Sequence, residues 1–430
     1  MIYQEENETG KRLIIKFGKI KLKLKLNNLI FKFSPIVKLI DFFSPKNKRK
    51  IIFISTPDFS DNAKIFYEYI RDFQKDEFET VWIYRKHLNK EQLANLNAIF
   101  PCPKYNWSSL KGIFHLLTAG YHVITHADTM YNKLISMKKH IVINLWHGMP
   151  IKTLGYNEKT IAPSLFKTYK NLGQNAFFFV TSDIFKLSMT ACFLIPDKRI
   201  FITGQPRTDS IFSTANSGLI ESFLNCSRYE KVVLYTPTYK ETARTKDRKK
   251  ELNKDFLNIF YLDDYDREDF ANYLKENNIL LVIKPHPFDE QAFKEFYEAN
   301  PLVSDNIKII YNDDLLNRNL YFYELFQYSD LMITDFSSIA IDYLITGKPI
   351  LYLDNFTEEY KSDRGMILED NFSILISGPK IKTYSDLKYY ITESLSKDSY
   401  KEDRLKTVPL LHKYTDNKSS ERIYNILKKL

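Results

Sequence analysis

From Ile51 onward, short and almost wholly apolar runs alternate with stretches of helix length, and this pattern restricts the fold more than any other feature. One set comprises IIFIS (51–55), TVWIY (80–84), YHVIT (121–125), IVINLW (141–146), AFFFVTS (176–182) and RIFITG (199–204). A second comprises KVVLYTP (231–237), LLVIKP (280–285), IKII (307–310), DLMITD (330–335) and PILYL (349–353). A strand that is apolar on both faces has no side to give to water. It belongs in a parallel sheet covered by helices above and below. Stretches such as Asn62–Phe73 and Ile184–Phe193 supply covering helices. Two such sets predict an α/β protein of two doubly wound domains in tandem. The first is expected over 51–212 and the second over 228–398, joined through the stretch 205–230 that carries Pro206, Ser213, Ser217 and Gly218.

The segment before this body is of another kind. The chain carries a net charge of +9, yet residues 11–50 hold thirteen Lys/Arg against Asp41 alone, while residues 1–10 hold three acids. The body is therefore neutral, and the basic character belongs to residues 1–50. There the cations alternate with Leu, Ile and Phe, a composition suited to an anionic membrane surface, where each Lys contributes about 1 kcal/mol. Ile20 to Lys25 alternates as a strand does, and Leu29 to Phe43 fits an amphipathic helix. A solvated basic arm, or a tail packed on the body, is the plainer reading of the same charges. A neutral body with no recognisable binding module argues against nucleic acid. No apolar run is long enough to span a bilayer, and the early acids argue against a secretory signal. Cys102, Cys192 and Cys226 are odd in number and widely spaced, which fits a reducing compartment and no structural zinc.

Open α/β sheets bind ligands beyond the carboxyl ends of their strands. In NLWHGMPIKTLGY (144–156), His147 follows directly on a buried strand, beside Gly148. A histidine so placed can take a proton from an alcohol, or it can simply be a hydrogen-bonded loop residue. In LLVIKPHPF (280–288), Pro285 and Pro287 restrain His286, and Lys284 stands before it. The pair can offer charge and donors to a diphosphate, or form a rigid turn. In DLMITDFSSIAIDYL (330–344), Thr334, Asp335, Ser337 and Ser338 lead into a helix, where capping and anion binding use the same geometry. Asp342, on the same face as Ser338, is expected to meet a ribose or to be a surface acid. Arg207 in GQPRTDSIF either clamps a phosphate or pairs with Asp209, and TPTYKE brings Thr236, Thr238 and Lys240 after another strand. Ser60, Asp61 and Asn62 are explained by helix capping. The acidic DDYD (263–266) reads as solvated surface. No metal-ligand spacing is convincing, and no cofactor is expected.

Taken in order, SDNAKIFYEYI, ITHADTMYNKL, NLWHGMPIK, TGQPRTDSIF, LYTPTYKE, KPHP, ITDFSSIAIDYLITGKPILY, YKSDRG and YTDNKSSERI resemble the CDP-glycerol glycerophosphotransferase family of teichoic acid primases and polymerases, over roughly residues 51–430. The resemblance implies a GT-B architecture, two Rossmann-like domains facing across a cleft, with residues 399–430 returning as a helix to the first domain. It implies transfer of glycerol phosphate from CDP-glycerol to a hydroxyl of a lipid-linked or polymeric acceptor, with release of CMP, in teichoic acid-like or capsular polymer synthesis. His147 would be the base on the acceptor, and His286 would steady the diphosphate and the leaving CMP. Ser337 and Ser338 would hold phosphate oxygens, with Thr334 and Asp335 shaping their loop, and Arg207, Lys284, Thr236 and Thr238 beside the donor. The implied location is the cytoplasmic face of the bacterial membrane, reached through residues 11–50.

Met149, Lys240 and Lys284 depart from the family pattern, which has Thr at the first and Arg at the other two, and replacing Arg by Lys loses the bidentate fork. These departures leave the donor open between CDP-glycerol and CDP-ribitol. A GT-B glycosyltransferase using a sugar nucleotide shares the fold, and a noncatalytic membrane-bound scaffold shares the basic segment. Retention of both His147 and His286 speaks against the scaffold.

Overall fold

The computed structural model describes residues 2–7, 10–17, 20–25, 33–86, 88–158, 163–238, 256–335, 337–354, 365, 367 and 376–430, the first three segments by their backbone. These three are strands β1 (Ile2–Asn7), β2 (Gly10–Phe17) and β3 (Ile20–Lys25), an antiparallel sheet of their own. The alternation expected over Ile20 to Lys25 is thus a strand. Of the helix expected over Leu29 to Phe43, the described part is the helix Ser34–Phe43, and residues 29–32 lie outside the described residues.

The two sets of apolar runs form two parallel sheets. The first holds β4 (Asn47–Ile54), β5 (Glu79–Tyr84), β6 (Lys104–Asn106), β7 (Ala119–Ile124), β8 (Ile141–Asn144), β9 (Ala176–Val180) and β10 (Ile200–Ile202), in the order β10-β9-β8-β7-β4-β5-β6. The second holds β11 (Lys231–Thr236), β12 (Ile279–Ile283), β13 (Ile307–Ile309), β14 (Leu331–Thr334), β15 (Ile350–Leu353) and β16 (Lys380–Ile381), in the order β13-β12-β11-β14-β15-β16. All the neighbouring pairs within both sheets are parallel. The chain winds outward from β4 and then returns past it to β7, and it does the same from β11 to β14. Each sheet therefore has a switch point, where loops diverge and leave a crevice. This is a GT-B-like arrangement of two α/β domains.

The first body strand begins at Asn47, so the boundary expected at Ile51 falls inside it. The helix Ser34–Phe43 is also tied to the first domain. Its Asp41 is fully buried, accepting from His140 Nε2 at 2.9 Å, Lys46 Nζ at 2.7 Å and the Ser136 amide at 2.6 Å. Burial opposes ionisation of Asp41, but the His140 and Lys46 interactions win and hold its carboxyl below the usual range.

The C-terminal helix Ser419–Leu427 lies on the first domain, its Ile423, Tyr424 and Leu427 sharing a core with Phe66, Tyr67 and Ile70. Its amino end is seated by Asp209, which accepts from the amides of Ser419 and Ser420, both at 2.9 Å. An acid there also meets the positive end of the helix dipole. The preceding turn crosses between the domains. Thr181 Oγ1 donates to Leu411 O at 2.7 Å, and the ring of His412 bonds through Nε2 to Ile341 O at 2.7 Å.

Candidate active site

The carboxyl ends of β4, β7, β8 and β10 carry the first domain's polar groups. Beyond β8, Trp146 and Gly148 take positive φ values of 52° and 127°, turning the chain sharply around His147. The half-buried His147 ring is held through Nδ1, 2.9 Å from the carbonyl oxygen of Thr125. A carbonyl only accepts, so Nδ1 carries the proton and Nε2 keeps its lone pair. Burial lowers the imidazole's pKa, more than the Thr125 bond and the nearby Asp61 carboxylate raise it; the Arg207 charge lowers it further. A neutral imidazole with a bare Nε2 is the form a general base requires.

Gly148 joins this loop to the second domain. A Cβ on it would lie 2.6 Å from Ser338 Oγ and 2.7 Å from Arg207 Nη2, so only glycine lets the two domains approach here. Arg207, from the short turn Pro206–Asp209 after β10, is buried. Its guanidinium donates to the carbonyl of His147 at 2.7 Å and to Asp342 at 2.5 Å, with Asp61 at 3.4 Å. It lies over the Tyr323 ring at 5.3 Å, and the Tyr323 hydroxyl donates to the same Asp342 oxygen at 2.7 Å.

This corrects two expectations. Arg207 does not pair with Asp209, which holds the C-terminal helix instead. Asp342 is neither a surface acid nor free for a ribose; it is the buried second-domain partner of Arg207. The phosphate-clamp alternative for Arg207 is weakened by the same contacts, because the guanidinium already serves acceptors from both domains.

At the second sheet's switch point, the ends of β11 and β14 lie side by side, with Thr236 in register with Thr334. Thr334 Oγ1 donates to Thr236 O at 2.7 Å, and Asp335 accepts from the Thr238 amide at 3.1 Å and from its hydroxyl at 2.6 Å. These four residues brace one another. Ser337 caps the helix Ser338–Tyr343, its hydroxyl accepting weakly from the Ile339 amide at 3.5 Å. Ser338 therefore stands in the first turn with its hydroxyl toward Gly148. The Thr236 hydroxyl is buried and without a partner among the described residues.

Lys284 and His286 follow β12. Lys284 is buried, with Nζ 2.5 Å from Glu290 and 3.1 Å from Pro285 O. Its charge is thus answered within its own domain rather than presented to a diphosphate. Half-buried His286 accepts from the Phe288 amide at Nδ1, at 3.3 Å. Burial, then the Lys284 and Lys152 charges, lower its pKa to about 4. At neutral pH it is an uncharged ring with a proton on Nε2, a donor without being a cation. Lys152 belongs to the first domain, so the loop of His286 also faces the cleft.

Between the domains runs a groove of about 330 Å³, lined by Ser55, Asp58, Lys64, Arg85 and Lys86 on one side and Phe288, Asn312 and Tyr321 on the other. Lys240 and most of the YKSDRG stretch lie outside the described residues, although Gly365 accepts from the Thr153 amide at 3.1 Å. Among the described residues no group of three or more His, Cys, Asp or Glu is placed to hold a metal, and no helix is long and apolar enough to cross a membrane. His126 and Asp61 join the site without having been singled out for it. Both lie in motifs that the sequence displays, but neither carries a local signal beyond loop or cap.

The family of CDP-glycerol:poly(glycerophosphate) glycerophosphotransferases matches the chain over residues 36–429. The chain is 26% identical to the teichoic acid poly(glycerol phosphate) polymerase of Bacillus subtilis (strain 168), across 90% of its own length and 49% of that protein's. It is 23% identical to the ribitol-phosphate polymerase TarL of Staphylococcus aureus (strain NCTC 8325 / PS 47), across 93% of itself and 66% of that protein. With the teichoic acid glycerol-phosphate primase of B. subtilis (strain 168) it shares 22% identity, across 95% of itself and 98% of that protein. The chain thus spans half to two-thirds of the two polymerases and nearly all of the primase. Among solved structures, the wall teichoic acid polymerase TagF superposes with a TM-score of 0.72 at 19% identity, covering 94% of this chain and 95% of that one. With the match running nearly end to end, the chain belongs to the CDP-glycerol:poly(glycerophosphate) glycerophosphotransferase family.

Proposed function

We propose that the chain transfers glycerol phosphate from CDP-glycerol to a hydroxyl of a lipid-linked or polymeric acceptor, in the synthesis of a teichoic acid-like or capsular polymer. His147 Nε2 takes the proton of the acceptor hydroxyl as its oxygen attacks the glycerol-bearing phosphorus. The bond from that phosphorus to the bridging oxygen breaks, and CMP leaves with that oxygen. The uncharged His286 donates through Nε2 to the diphosphate and so steadies the leaving group. Ser337, Ser338 and the helix start behind them hold phosphate oxygens, and the braced set Thr236, Thr238, Thr334 and Asp335 keeps that helix in place. Such a displacement depends on positioning and charge stabilisation more than on covalent chemistry.

The observation that carries this reading is the meeting of His147, its Nδ1 proton committed to Thr125, with the helix start of Ser338 across Gly148. It brings a base, held by Thr125 at the end of β7, together with an anion-binding element from the second sheet's switch point. The same geometry serves a CDP-ribitol donor, a reading supported by the 23% identity to a ribitol-phosphate polymerase.

The same proposal places the protein on the cytoplasmic face of the bacterial membrane. The helix Ser34–Phe43 exposes Ile36, Leu39 and Phe43, the last at 75%, and Leu110 and Phe114 of the helix Leu110–Thr118 are likewise exposed. Lys50 lies over the Phe114 ring at 5.1 Å and Lys139 over the Phe42 ring at 4.1 Å. Apolar side chains fringed by lysine suit an anionic bilayer.

The test is CMP release from CDP-glycerol or CDP-ribitol, with and without a lipid-linked acceptor. Acceptor-dependent release from CDP-glycerol supports the proposal, and release from CDP-ribitol alone moves the donor. Turnover of a sugar nucleotide with neither CDP-polyol used overturns it.

A further inference from the structure

His126 has no part in the steps above, yet it lies flat against His147, ring centroids 3.9 Å apart and planes within 8°. Both rings are anchored by one residue. Thr125 offers its carbonyl to His147 Nδ1 at 2.9 Å and its hydroxyl to His126 Nδ1 at 2.8 Å. The two anchors select opposite tautomers once every polar hydrogen is given an acceptor. The carbonyl can only accept, so His147 is protonated at Nδ1. The Thr125 hydroxyl already accepts from the Thr56 amide at 3.4 Å, and among the described residues its proton has only His126 Nδ1 to go to. His126 Nδ1 is therefore the acceptor, and its proton sits on Nε2. Neither Nε2 makes a hydrogen bond among the described residues, and both rings are only half-buried.

We infer that His126 and His147 work as a split pair of neutral imidazoles, His147 Nε2 accepting the acceptor's proton while His126 Nε2–H donates a hydrogen bond to a non-bridging oxygen of the phosphoryl group in transfer. Before proton transfer the pair rests uncharged, because two imidazolium rings stacked this close would repel each other. Burial disfavours the charged form of each, and Arg207 presses on both, with Arg85 acting on His126; only the Asp61 carboxylate and the Thr125 bond favour protonation of His147. A neutral donor in such a place stabilises developing negative charge without neutralising the base beside it.

The inference rests on the proposed transfer at His147, and its test has one readout that does not. In the full chain labelled with 15N-histidine, a long-range 1H–15N correlation spectrum at pH 7 should show His147 as the Nδ1–H tautomer and His126 as the Nε2–H tautomer. The same tautomer on both rings, or a proton on both nitrogens of either, overturns the pair even if no turnover is seen. In the transfer assay, His126→Phe keeps a flat ring but has no donor, and kcat should fall about 100-fold, the order found when one such donor is removed. His126→Gln, which restores an N–H, should recover at least tenfold over the Phe variant, and a purely structural role for the stack predicts the reverse ranking. Wild-type turnover by His126→Phe overturns the donor role. A wild-type chain that uses no CDP-polyol while showing the two expected tautomers refutes the transfer proposal and the donor role with it, but leaves the split pair standing.

Discussion

Asp342→Ala removes one side of the buried ion pair that joins the two domains. Arg207 and Asp342 are 2.5 Å apart with side chains 6% and 3% exposed, so the guanidinium left behind cannot reach bulk water without the domains separating. Removing one partner of a buried pair costs about 3–5 kcal/mol, most of it the penalty of an uncompensated buried charge. Arg207 keeps the His147 carbonyl at 2.7 Å and Asp61 at 3.4 Å, which puts the expected cost near the lower end, about 3 kcal/mol. At 1.4 kcal/mol per decade, the contact between the domains should open roughly 100-fold more often. Hydrogen exchange read by mass spectrometry on the amides of Thr153 and Lys413 measures this directly. The first bonds across the domain boundary to Gly365 O, and the second ties the segment that crosses between the domains to Thr181 O. The double variant Arg207→Met/Asp342→Leu, with no charge to bury, should regain most of the protection. It should not regain transfer, since the carbonyl behind His147 has lost its donor. Exchange at Thr153 and Lys413 within twofold of wild type in Asp342→Ala would refute the argument that this pair holds the domains together.

Three further outcomes follow from the same geometry. Gly148→Ala places a Cβ against Ser338 and Arg207 at a φ of 127°, and should abolish transfer while each domain remains folded by circular dichroism; near-wild-type turnover would contradict the close approach. Because burial lowers the pKa of His147, and the base works as the neutral ring, the acid limb of kcat/KM should lie below pH 6.5, so that activity is kept on the acid side of an ordinary imidazole; a limb at pH 7 or above contradicts this. Leu39→Asp with Phe43→Asp should weaken binding to anionic vesicles at least tenfold without changing the melting temperature, whereas deleting residues 1–50 should also destabilise the body by removing Asp41 and the start of β4; vesicle binding unchanged in the double variant sinks the proposed docking face.

The sheets were legible in the sequence because their central strands are apolar on both faces, and period and composition there agree. Lys104–Asn106 and Lys380–Ile381 were not, since edge strands of three and two residues with polar members carry no pattern. Loops at the carboxyl ends of the strands were legible too, as polar residues directly after apolar runs: His147 after β8, and the Thr334–Ser338 stretch at the second sheet's switch point. What could not be read was the partnership of residues far apart in the chain. Arg207 and Asp342 stand 135 positions apart, and nothing local to Arg207 distinguishes Asp342 from Asp209, two residues away. The place of the helix Ser34–Phe43 did leave a trace. Asp41 is the lone acid among thirteen bases, and a lone acid on an otherwise basic, apolar helix is apt to have a buried partner, here His140. His126 left none, because stacking between two loops is a property of the fold and not of either loop.

The most direct measurement of the central claim compares His147→Ala with the wild type for both donor affinity and acceptor-dependent CMP release. The geometry predicts CDP-glycerol affinity within about threefold of wild type, because the groups proposed to hold its phosphates on the second domain are left in place, and release reduced by at least the roughly 100-fold that loss of a general base costs. Release at the wild-type rate would contradict the assignment of His147 as the base.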